Sequence, residues 1–430
     1  MSDLFAARTQ MALSLGFHIV FAEIGIAMPL LMVLAEWRWH RTGDRVFLDL
    51  AKRWAKGSAI LFAVGAVSGT VLSFELGLLW PRFMEMAGPI IGIPFSLEGF
   101  AFFTEAIFLG VYLYGWDRIS PRAHIAAGLV VAASGAASAV FVVMVNAFMN
   151  TPAGVVMQAG EIAQIDPIAG MFNPSTVQQA LHMLLASYAA TGFGVAGIHA
   201  AIILRRGDVA FHRHALTLAL LIGAPAAMLQ PLSGDLSARV VARWQPIKLA
   251  ALEGQFETER GAPLRLGGWP DEDARRTRFA VEIPRGLSLL AFHDPSAEVK
   301  GLTAFRRELW PPIAPVHLGF QVMVALGTAM ALVGAWAALV VLRKRRVIDQ
   351  RLLLRALAIS APFGFIATEA GWTVTEVGRQ PWVVQGILRT ADAVTPMPGL
   401  VVPMMVFTVL YIVLGAIVVT LMRTLVRESA

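Results

Sequence analysis

Residues 315–342 read PVHLGFQVMVALGTAMALVGAWAALVVL, with no Asp, Glu, Lys or Arg among them. A helix needs about 20 consecutive apolar residues to cross the hydrocarbon core of a bilayer, and this stretch exceeds that length. The next four residues, Arg343 to Arg346, are all basic. An apolar stretch followed by a basic cluster is typical of a transmembrane helix that ends at the cytoplasmic face.

The composition of the whole 430-residue chain is that of a membrane protein. Hydrophobic residues make up 57% of it and charged residues only 15%. Soluble domains carry roughly 25% charged residues. These values, with a mean hydropathy of +0.66, exclude a disordered protein, a nucleic-acid-binding domain and an ordinary soluble enzyme. Because cysteine is absent, disulfides, thiolate metal sites, iron–sulfur clusters and covalent c-type haem are excluded as well.

Nine stretches meet the length criterion, which predicts an all-α polytopic membrane protein with nine transmembrane helices. The predicted spans are 11–35, 57–79, 94–116, 125–148, 180–204, 215–232, 315–342, 353–373 and 399–422. The first lacks a basic start and contains Glu23, so we expect a retained helix rather than a cleavable signal. We therefore expect three parts: helices one to six in 1–233, a polar loop in 234–312, and helices seven to nine in 313–430.

Basic residues are concentrated in alternate links between these spans, and this sets the predicted orientation. They follow spans one, three, five and seven and occur again at the C-terminal end. The positive-inside rule then puts the N-terminus outside and the C-terminus in the cytoplasm. The large polar loop lies on the outer side, either as a functional surface or as a passive cap. The net charge of +6 thus reflects orientation rather than a polyanionic partner.

Ionisable side chains inside the spans are costly in a bilayer and mark functional sites. The candidates, with one methionine at a similar depth, are His18, Glu23, Glu75, Glu98, Glu105, His182, His199, His317, Met323, Glu369 and Glu376. Most of them fall in the outer half of the predicted bilayer, whereas His199 lies deep on the cytoplasmic side. Histidine, carboxylate and methionine at one depth form a set that can ligate haem iron.

Each candidate also has a structural interpretation. A histidine in a membrane helix often hydrogen-bonds a neighbouring helix, and a methionine often only packs. Glu98 and Glu105 are seven positions apart and share nearly one helix face, as in a proton path or in a polar contact between helices. We expect His199 and His317 to be structural.

Several motifs resemble those of one known family. Residues 369–372 read EAGW and residues 376–382 read EVGRQPW, which is similar to the EAGW…E-x-GRQPW motif of subunit I of the cytochrome bd quinol oxidases. Residues 245–253, QPIKLAALE, resemble the QPxKxAAxE stretch of that family's quinol-binding loop. The stretches EGFAFFTE (98–105) and FQVM (320–323) are also similar to the family. The resemblance covers essentially the whole chain.

The resemblance implies three haems. His182 and Met323 resemble the axial ligands of a low-spin haem b, the first electron acceptor from quinol. His18 resembles the ligand of one haem of a high-spin pair, and Glu376 resembles the ligand of the other, with Glu98 at the same site. The pair is haem b plus haem d, or two haems b. No copper is implied, because no histidine cluster resembles a copper site.

The resemblance also implies roles for residues around the haems. Trp372 lies between ligands and would assist electron transfer. Arg8 and Arg379 would pair with haem propionates, which suits the planar guanidinium group. The predicted topology adds one role: Glu105 and Ser138 lie on adjacent spans and would serve the inner approach of protons to the oxygen site.

Quinol chemistry is implied for the polar loop, where Lys248 and Glu253 resemble quinol-site residues. A carboxylate beside a quinol hydroxyl can accept its proton as the electrons leave. The implied reaction oxidises quinol at the outer face and reduces dioxygen to water, with generation of a proton motive force. The implied partners are a second large membrane subunit, often a small single-helix subunit, and the lipid of a bacterial cytoplasmic membrane, with no nucleic acid.

Two other functions stay open on the residues alone. A haem-free transporter would share the buried carboxylates, and a haem-containing quinol dehydrogenase anchor would pass electrons to a partner rather than to oxygen. Gln321 stands where some relatives have Arg, and Glu23 and Glu75 match no motif of the family. The short loop occurs both in ordinary members and in the cyanide-insensitive branch, which leaves the haem d content and the choice of ubiquinol or menaquinol open.

Overall fold

The computed structural model describes residues 1–158, 161–207 and 209–427. Its α-helices, in chain order, are α1 (Asp3–Thr42), α2 (Arg45–Leu79), α3 (Pro81–Tyr114), α4 (Pro121–Asn150), α5 (Pro167–Met171), α6 (Thr176–Arg206), α7 (Ala210–Trp244), α8 (Pro246–Glu253), α9 (Gly286–Phe292), α10 (Ile313–Leu342), α11 (Arg351–Ser360), α12 (Phe363–Val377), α13 (Thr390–Ala393) and α14 (Val401–Arg427).

Within the described ranges, nine helical segments are long and apolar enough to cross a bilayer. They are α1, α2, α3, α4, α6, α7, α10, α11 together with α12, and α14. This confirms the predicted all-α architecture with nine spans. The helices are longer than the apolar stretches, because backbone hydrogen bonding continues into the polar ends of each helix. In α1, for example, the Ser2 hydroxyl caps the start and accepts from Phe5 N at 3.3 Å, so that Arg8 lies inside the helix.

The polar loop begins later in the structure than the sequence predicts. Helix α7 continues to Trp244, although the loop was predicted to begin at residue 234. In this extension Arg239 pairs with Asp235 at 2.7 Å, which is the i, i+4 spacing of a helix surface. Hydropathy locates the end of the apolar stretch. The helix itself continues for as long as polar side-chain pairs and a cap stabilise its backbone.

Span eight is interrupted between α11 and α12, where Pro362 cannot donate a backbone hydrogen bond. Helix α12 then runs to Val377. Glu376 was expected just beyond the span, and it lies instead in the last turn of α12.

Small residues allow the central helices to pack closely. A Cβ atom on Gly192 of α6 would lie 2.5 Å from the Cα atom of Gly223 on α7, so the two backbones touch. A Cβ atom on Gly364 would lie 2.3 Å from the Cα atom of Ala190, which brings α12 equally close to α6. Helix α6 is therefore held at the centre of the bundle.

The polar loop between α7 and α10 contains α8, α9 and short antiparallel strand pairs rather than turns alone. The strands of the chain are β1 (Val155–Gln158), β2 (Glu161–Ile165), β3 (Glu259–Arg260), β4 (Leu264–Leu266), β5 (Trp269–Asp271), β6 (Arg276–Arg278), β7 (Val281–Ile283), β8 (Glu298–Val299), β9 (Trp382–Val384) and β10 (Leu388–Arg389). The pairs are β1–β2, β3–β8, β4–β7, β5–β6 and β9–β10. Consecutive spans alternate in direction, so this loop shares a side of the bundle with the start of α1. We call this side the loop side.

Candidate functional site

His182 on α6 is oriented by a serine on the neighbouring helix. Its Nδ1 atom lies 2.8 Å from the Ser233 hydroxyl, and that hydroxyl donates to the Gln230 carbonyl oxygen at 2.9 Å. Because the single hydroxyl proton is used in this way, the serine oxygen accepts from Nδ1–H of the imidazole. The lone pair of the neutral ring is then on Nε2, which lies 3.2 Å from the Gln230 amide nitrogen.

Met323 lies on α10 against α12. A Cβ atom on Gly371 would lie 3.0 Å from the Met323 sulfur, so the absence of a side chain there leaves room for the thioether. Trp372 is the next residue along α12 and is half-buried. Met323 and Trp372 thus lie at the same contact between α10 and α12.

His18 on α1 repeats the arrangement seen at His182. Its Nδ1 atom lies 3.0 Å from the Ser68 hydroxyl on α2, and that hydroxyl donates to the carbonyl oxygens of Val64 and Gly65 at 3.0 and 3.1 Å. A Cβ atom on Gly69 would lie 3.0 Å from Cε1 of the ring. The imidazole is thus held against the backbone of α2, with Nε2 as its acceptor nitrogen.

Glu98 and Glu105 both face α4, which confirms that they share one face of α3. The Ser138 hydroxyl donates to Glu98 Oε1 at 3.2 Å. About two helical turns further along α3, the Glu105 carboxylate abuts Gly135, whose Cβ atom would lie 3.3 Å from it. Two carboxyl groups and a hydroxyl therefore line one helix–helix interface.

A chain of hydrogen bonds links the polar loop to the end of α12. Lys248 Nζ on α8 donates to Asn150 Oδ1 at 2.7 Å, and Asn150 Nδ2 donates to Asn146 Oδ1 at 3.0 Å. Asn146 in turn donates to Glu376, which pairs with Arg379 at 2.5 Å. The Lys248 of the predicted quinol site and the predicted haem ligand Glu376 are thus joined through two asparagines of α4.

The two predicted quinol residues are buried on α8, outside the spans. Burial lowers the pKa of Lys248 to about 7, an effect that Arg379 increases and Glu376 opposes. Burial raises the pKa of Glu253 to about 8, and Arg265 partly offsets this. The Oε2 atom of Glu253 has no hydrogen-bond partner among the described residues. This carboxyl group can therefore exchange protons near neutral pH.

The chain is similar to known proteins along its whole length. A family model described as "Cytochrome bd terminal oxidase subunit I" matches residues 6–430. The chain belongs to this family. It is 40% identical to a Bacillus subtilis (strain 168) protein provisionally named cytochrome bd menaquinol oxidase subunit I, over 97% of this chain and 95% of that one. It is 31% identical to the cytochrome bd ubiquinol oxidase subunit 1 of the same organism, over 100% of this chain and 95% of that one.

A solved structure gives the same assignment. The fold matches the structure of the bd oxidase from Geobacillus thermodenitrificans with a TM-score of 0.93 and 39% sequence identity, covering 100% of this chain and 99% of that one. The protein is accordingly a multi-pass membrane subunit of a terminal quinol oxidase, and the transporter alternative is not favoured. The family also implies haem cofactors and a multi-subunit complex.

The residues present fit haem. Hydrogen bonding occupies Nδ1 of both His18 and His182, so Nε2 is the nitrogen of each ring that would bind iron. At His182 the Gln230 amide now faces Nε2 at 3.2 Å and would move aside for a haem. Arg379 is 2% exposed, and its Nε atom has no partner among the described residues, which suits a carboxylate such as a propionate. Arg8 lies half-buried in α1, a position that does not test its predicted role.

The residues that orient the candidate ligands were not among those predicted from the sequence. Ser68, Ser233, Asn146 and Asn150 are polar but uncharged, and they come close to their partners only through helix packing. His317 and His199, which were expected to be structural, both make polar contacts with other segments of the chain. His317 contacts the carbonyl oxygens of Leu252 and Gly267 at 2.7 and 3.1 Å, and His199 contacts His212 at 2.9 Å between the two Nδ1 atoms.

Gln321, which stands where some relatives have Arg, contacts the polar loop. Its side chain accepts from Gly267 N at 2.9 Å and donates to the Arg265 carbonyl oxygen at 3.0 Å. Gln321 therefore fixes the polar loop on α10.

Proposed function

We propose that His182 and Met323 ligate a low-spin haem b. We further propose that His18 and Glu376 ligate a high-spin pair with Glu98 at the same site, the pair being haem b with haem d or two haems b. Bound haem supplies the electron acceptors for quinol and the place where dioxygen is reduced to water. Two observations support this proposal. A serine hydroxyl lies at Nδ1 of both His182 and His18, and a hydrogen-bond chain joins Lys248 of the loop to Glu376 of the ligand segment.

The quinol step uses two buried groups of α8. With a pKa of about 8, Glu253 holds a proton in most molecules at neutral pH and can hydrogen-bond a quinone carbonyl. In its ionised fraction it accepts a proton from the quinol hydroxyl as electrons leave. Lys248, with a pKa of about 7, donates hydrogen bonds in either state and positions the quinol ring. The quinol-binding part of the chain then begins after Trp244.

Proton delivery to the oxygen site runs along the α3–α4 interface. Glu105, Ser138 and Glu98 lie in that order from the inner side, and each can pass a proton to the next directly or through water. We propose that the N-terminus faces outward and the loop side is the outer face of a bacterial cytoplasmic membrane. Protons drawn from the inner side then cross most of the bilayer, and each such charge is worth about 2.3 kcal/mol per 100 mV.

The second large subunit and a small single-helix subunit are the proposed partners. Among the nine described spans, α14 is the least buried, with 11% of the residues in its most apolar segment buried, and α2 follows at 17%. Helices that leave so much apolar surface uncovered contact lipid or a partner subunit in the membrane.

Quinol oxidation by the purified complex tests the quinol site. Lys248→Ala and Glu253→Gln should each raise the KM for a soluble quinol analogue, with all haems retained. The exposed loop residues Lys300 and Glu257 offer matched controls, Lys300→Ala and Glu257→Gln, which should leave KM unchanged. Equal effects of the buried and exposed substitutions would contradict the site, and haem loss in the first pair would assign those residues a structural role. Oxygen uptake coupled to quinol oxidation separates an oxidase from a quinol dehydrogenase anchor.

A further inference from the structure

Four buried polar atoms in the loop-side halves of α1, α2 and α14 have no hydrogen-bond partner among the described residues. They are Oε1 of Gln10, Oγ of Ser14, Oε2 of Glu75 and the hydroxyl oxygen of Tyr411. The exposed fractions of these residues are 2, 0, 2 and 6%. We call the four residues the Glu75 cluster.

The four side chains converge on one point. Gln10 Nε2 donates to Glu75 Oε1 at 2.9 Å. Ser14, one turn along α1 from Gln10, is a further polar neighbour of the Glu75 carboxyl group. The Tyr411 ring packs on Phe17 of α1, with 4.7 Å between ring centroids, and its hydroxyl neighbours Ser14 and Glu75. Unpartnered atoms from three helices therefore face one another.

Such an arrangement is the environment of an internal water. A buried polar atom that loses water without gaining a partner is destabilising. An ordered internal water typically makes two to four hydrogen bonds to groups of this kind. The cluster offers an amide oxygen, two hydroxyls and a carboxyl oxygen, which together can both donate to water and accept from it.

The cluster is continuous with the His18 contact. Gln10, Ser14 and His18 are spaced four residues apart on α1 and so lie on one face of it. On α2, Ser68 lies seven residues before Glu75 and touches His18 Nδ1 at 3.0 Å. The cluster therefore extends the His18–Ser68 contact towards the loop side.

We propose that the Glu75 cluster binds water and that Glu75 takes up a proton when the haem held by His18 is reduced. The inference rests on the proposed ligation by His18. If a haem held by His18 took up one electron, the added negative charge would be balanced by one proton from the aqueous phase on the Glu75 carboxylate, and the carboxyl O–H bond would be the only bond formed. Ionisable groups in a membrane interior are costly and are commonly found in proton relays.

Redox-induced infrared difference spectra of the purified complex test the proposal. Reduction should produce a C=O stretching band of a protonated carboxyl group, which Glu75→Gln removes while haem content stays the same. Glu85 is an exposed carboxylate on α3, and Glu85→Gln should leave the band in place. A band that persists in Glu75→Gln would overturn the proposal.

Tyr411→Phe gives a second test that does not depend on assembly of the Glu75 variant. Loss of the hydroxyl should shift the carboxyl band, and it should remove a water O–H stretching feature that moves in H₂¹⁸O. An unchanged carboxyl band together with the same isotope-sensitive water feature would overturn the water site.

His18→Ala separates this inference from the haem assignment. If His18→Ala leaves the haem spectrum unchanged, the proposed ligation is wrong and the inference falls with it. If His18→Ala removes a high-spin signal but Glu75→Gln keeps the carboxyl band, only the proposal for the Glu75 cluster fails.

Discussion

The Ser233 hydroxyl should set the reduction potential of the haem that we assign to His182. A hydrogen bond from Nδ1–H to the serine oxygen increases the basicity of the imidazole, which stabilises the ferric over the ferrous state. Ser233→Ala removes the acceptor 2.8 Å from Nδ1. We therefore expect the midpoint potential of the low-spin haem to rise.

The size of the shift follows from the energy of one hydrogen bond. A net value of about 0.5–1.5 kcal/mol corresponds to about 20–65 mV for a one-electron couple, since a tenfold change in the equilibrium constant is about 59 mV. This is the upper bound, because only the difference in hydrogen-bond strength between the two redox states shifts the potential. A spectroelectrochemical titration of the purified complex, followed at the low-spin haem band, measures it.

The neighbouring serine on the same helix provides the control. Ser237 donates to Gln178 Oε1 at 2.6 Å and does not contact the imidazole. Ser237→Ala should leave the potential unchanged, and Ser233→Thr should restore it by keeping a hydroxyl. A Ser233→Ala midpoint equal to that of Ser237→Ala would refute the argument that this hydroxyl tunes the ligand.

Three further predictions concern packing, the loop and the link between sites. Gly192→Leu should prevent assembly of the complex, because the leucine side chain would overlap the α7 backbone. Gly25→Leu is the control and should assemble, since a Cβ atom on Gly25 meets nothing within 4 Å. The haem content of purified membranes measures the assembly of each variant. Burial raises the pKa of Glu253 from 4.5 to about 8, so the folded state binds more protons than the unfolded state in that window. The free energy of unfolding should then fall by roughly 1 kcal/mol per pH unit as the pH rises between these two pKa values. Thermal unfolding should show this loss in the native complex and in Glu257→Gln but not in Glu253→Gln. Parallel pH profiles of the three proteins would contradict the prediction. Asn150→Leu removes the side-chain oxygen that accepts from Lys248, and it should raise the KM for quinol with haem retained. An unchanged KM would show that the hydrogen-bond chain from Lys248 to Glu376 does not contribute to quinol binding.

The spans and their number were predictable because each depends on a local run of apolar residues. The ends were not, because helix termini depend on capping and on polar pairs such as Asp235–Arg239, which hydropathy does not detect. The family motifs identified Lys248, Glu253 and Glu376 as candidate site residues. They carried no information on the asparagines that join them.

The orienting serines show the same limit at the level of the site. Ser68 and Ser233 are ordinary polar residues on their own helices, and their importance comes from the histidines that packing places at 3.0 and 2.8 Å. The four residues of the Glu75 cluster come from the first two helices and from α14 at the other end of the chain. The serine–histidine contacts and the Glu75 cluster form only when the helices pack together, so the sequence of any single helix does not predict them.

The central claim is that His182 binds the low-spin haem, and His182→Ala tests it most directly. The reduced-minus-oxidised spectrum and the pyridine haemochrome of the purified complex should show loss of the low-spin haem signal and of one haem b. The high-spin signals should persist, and quinol oxidation should stop. An unchanged difference spectrum with unchanged haem content would contradict the account.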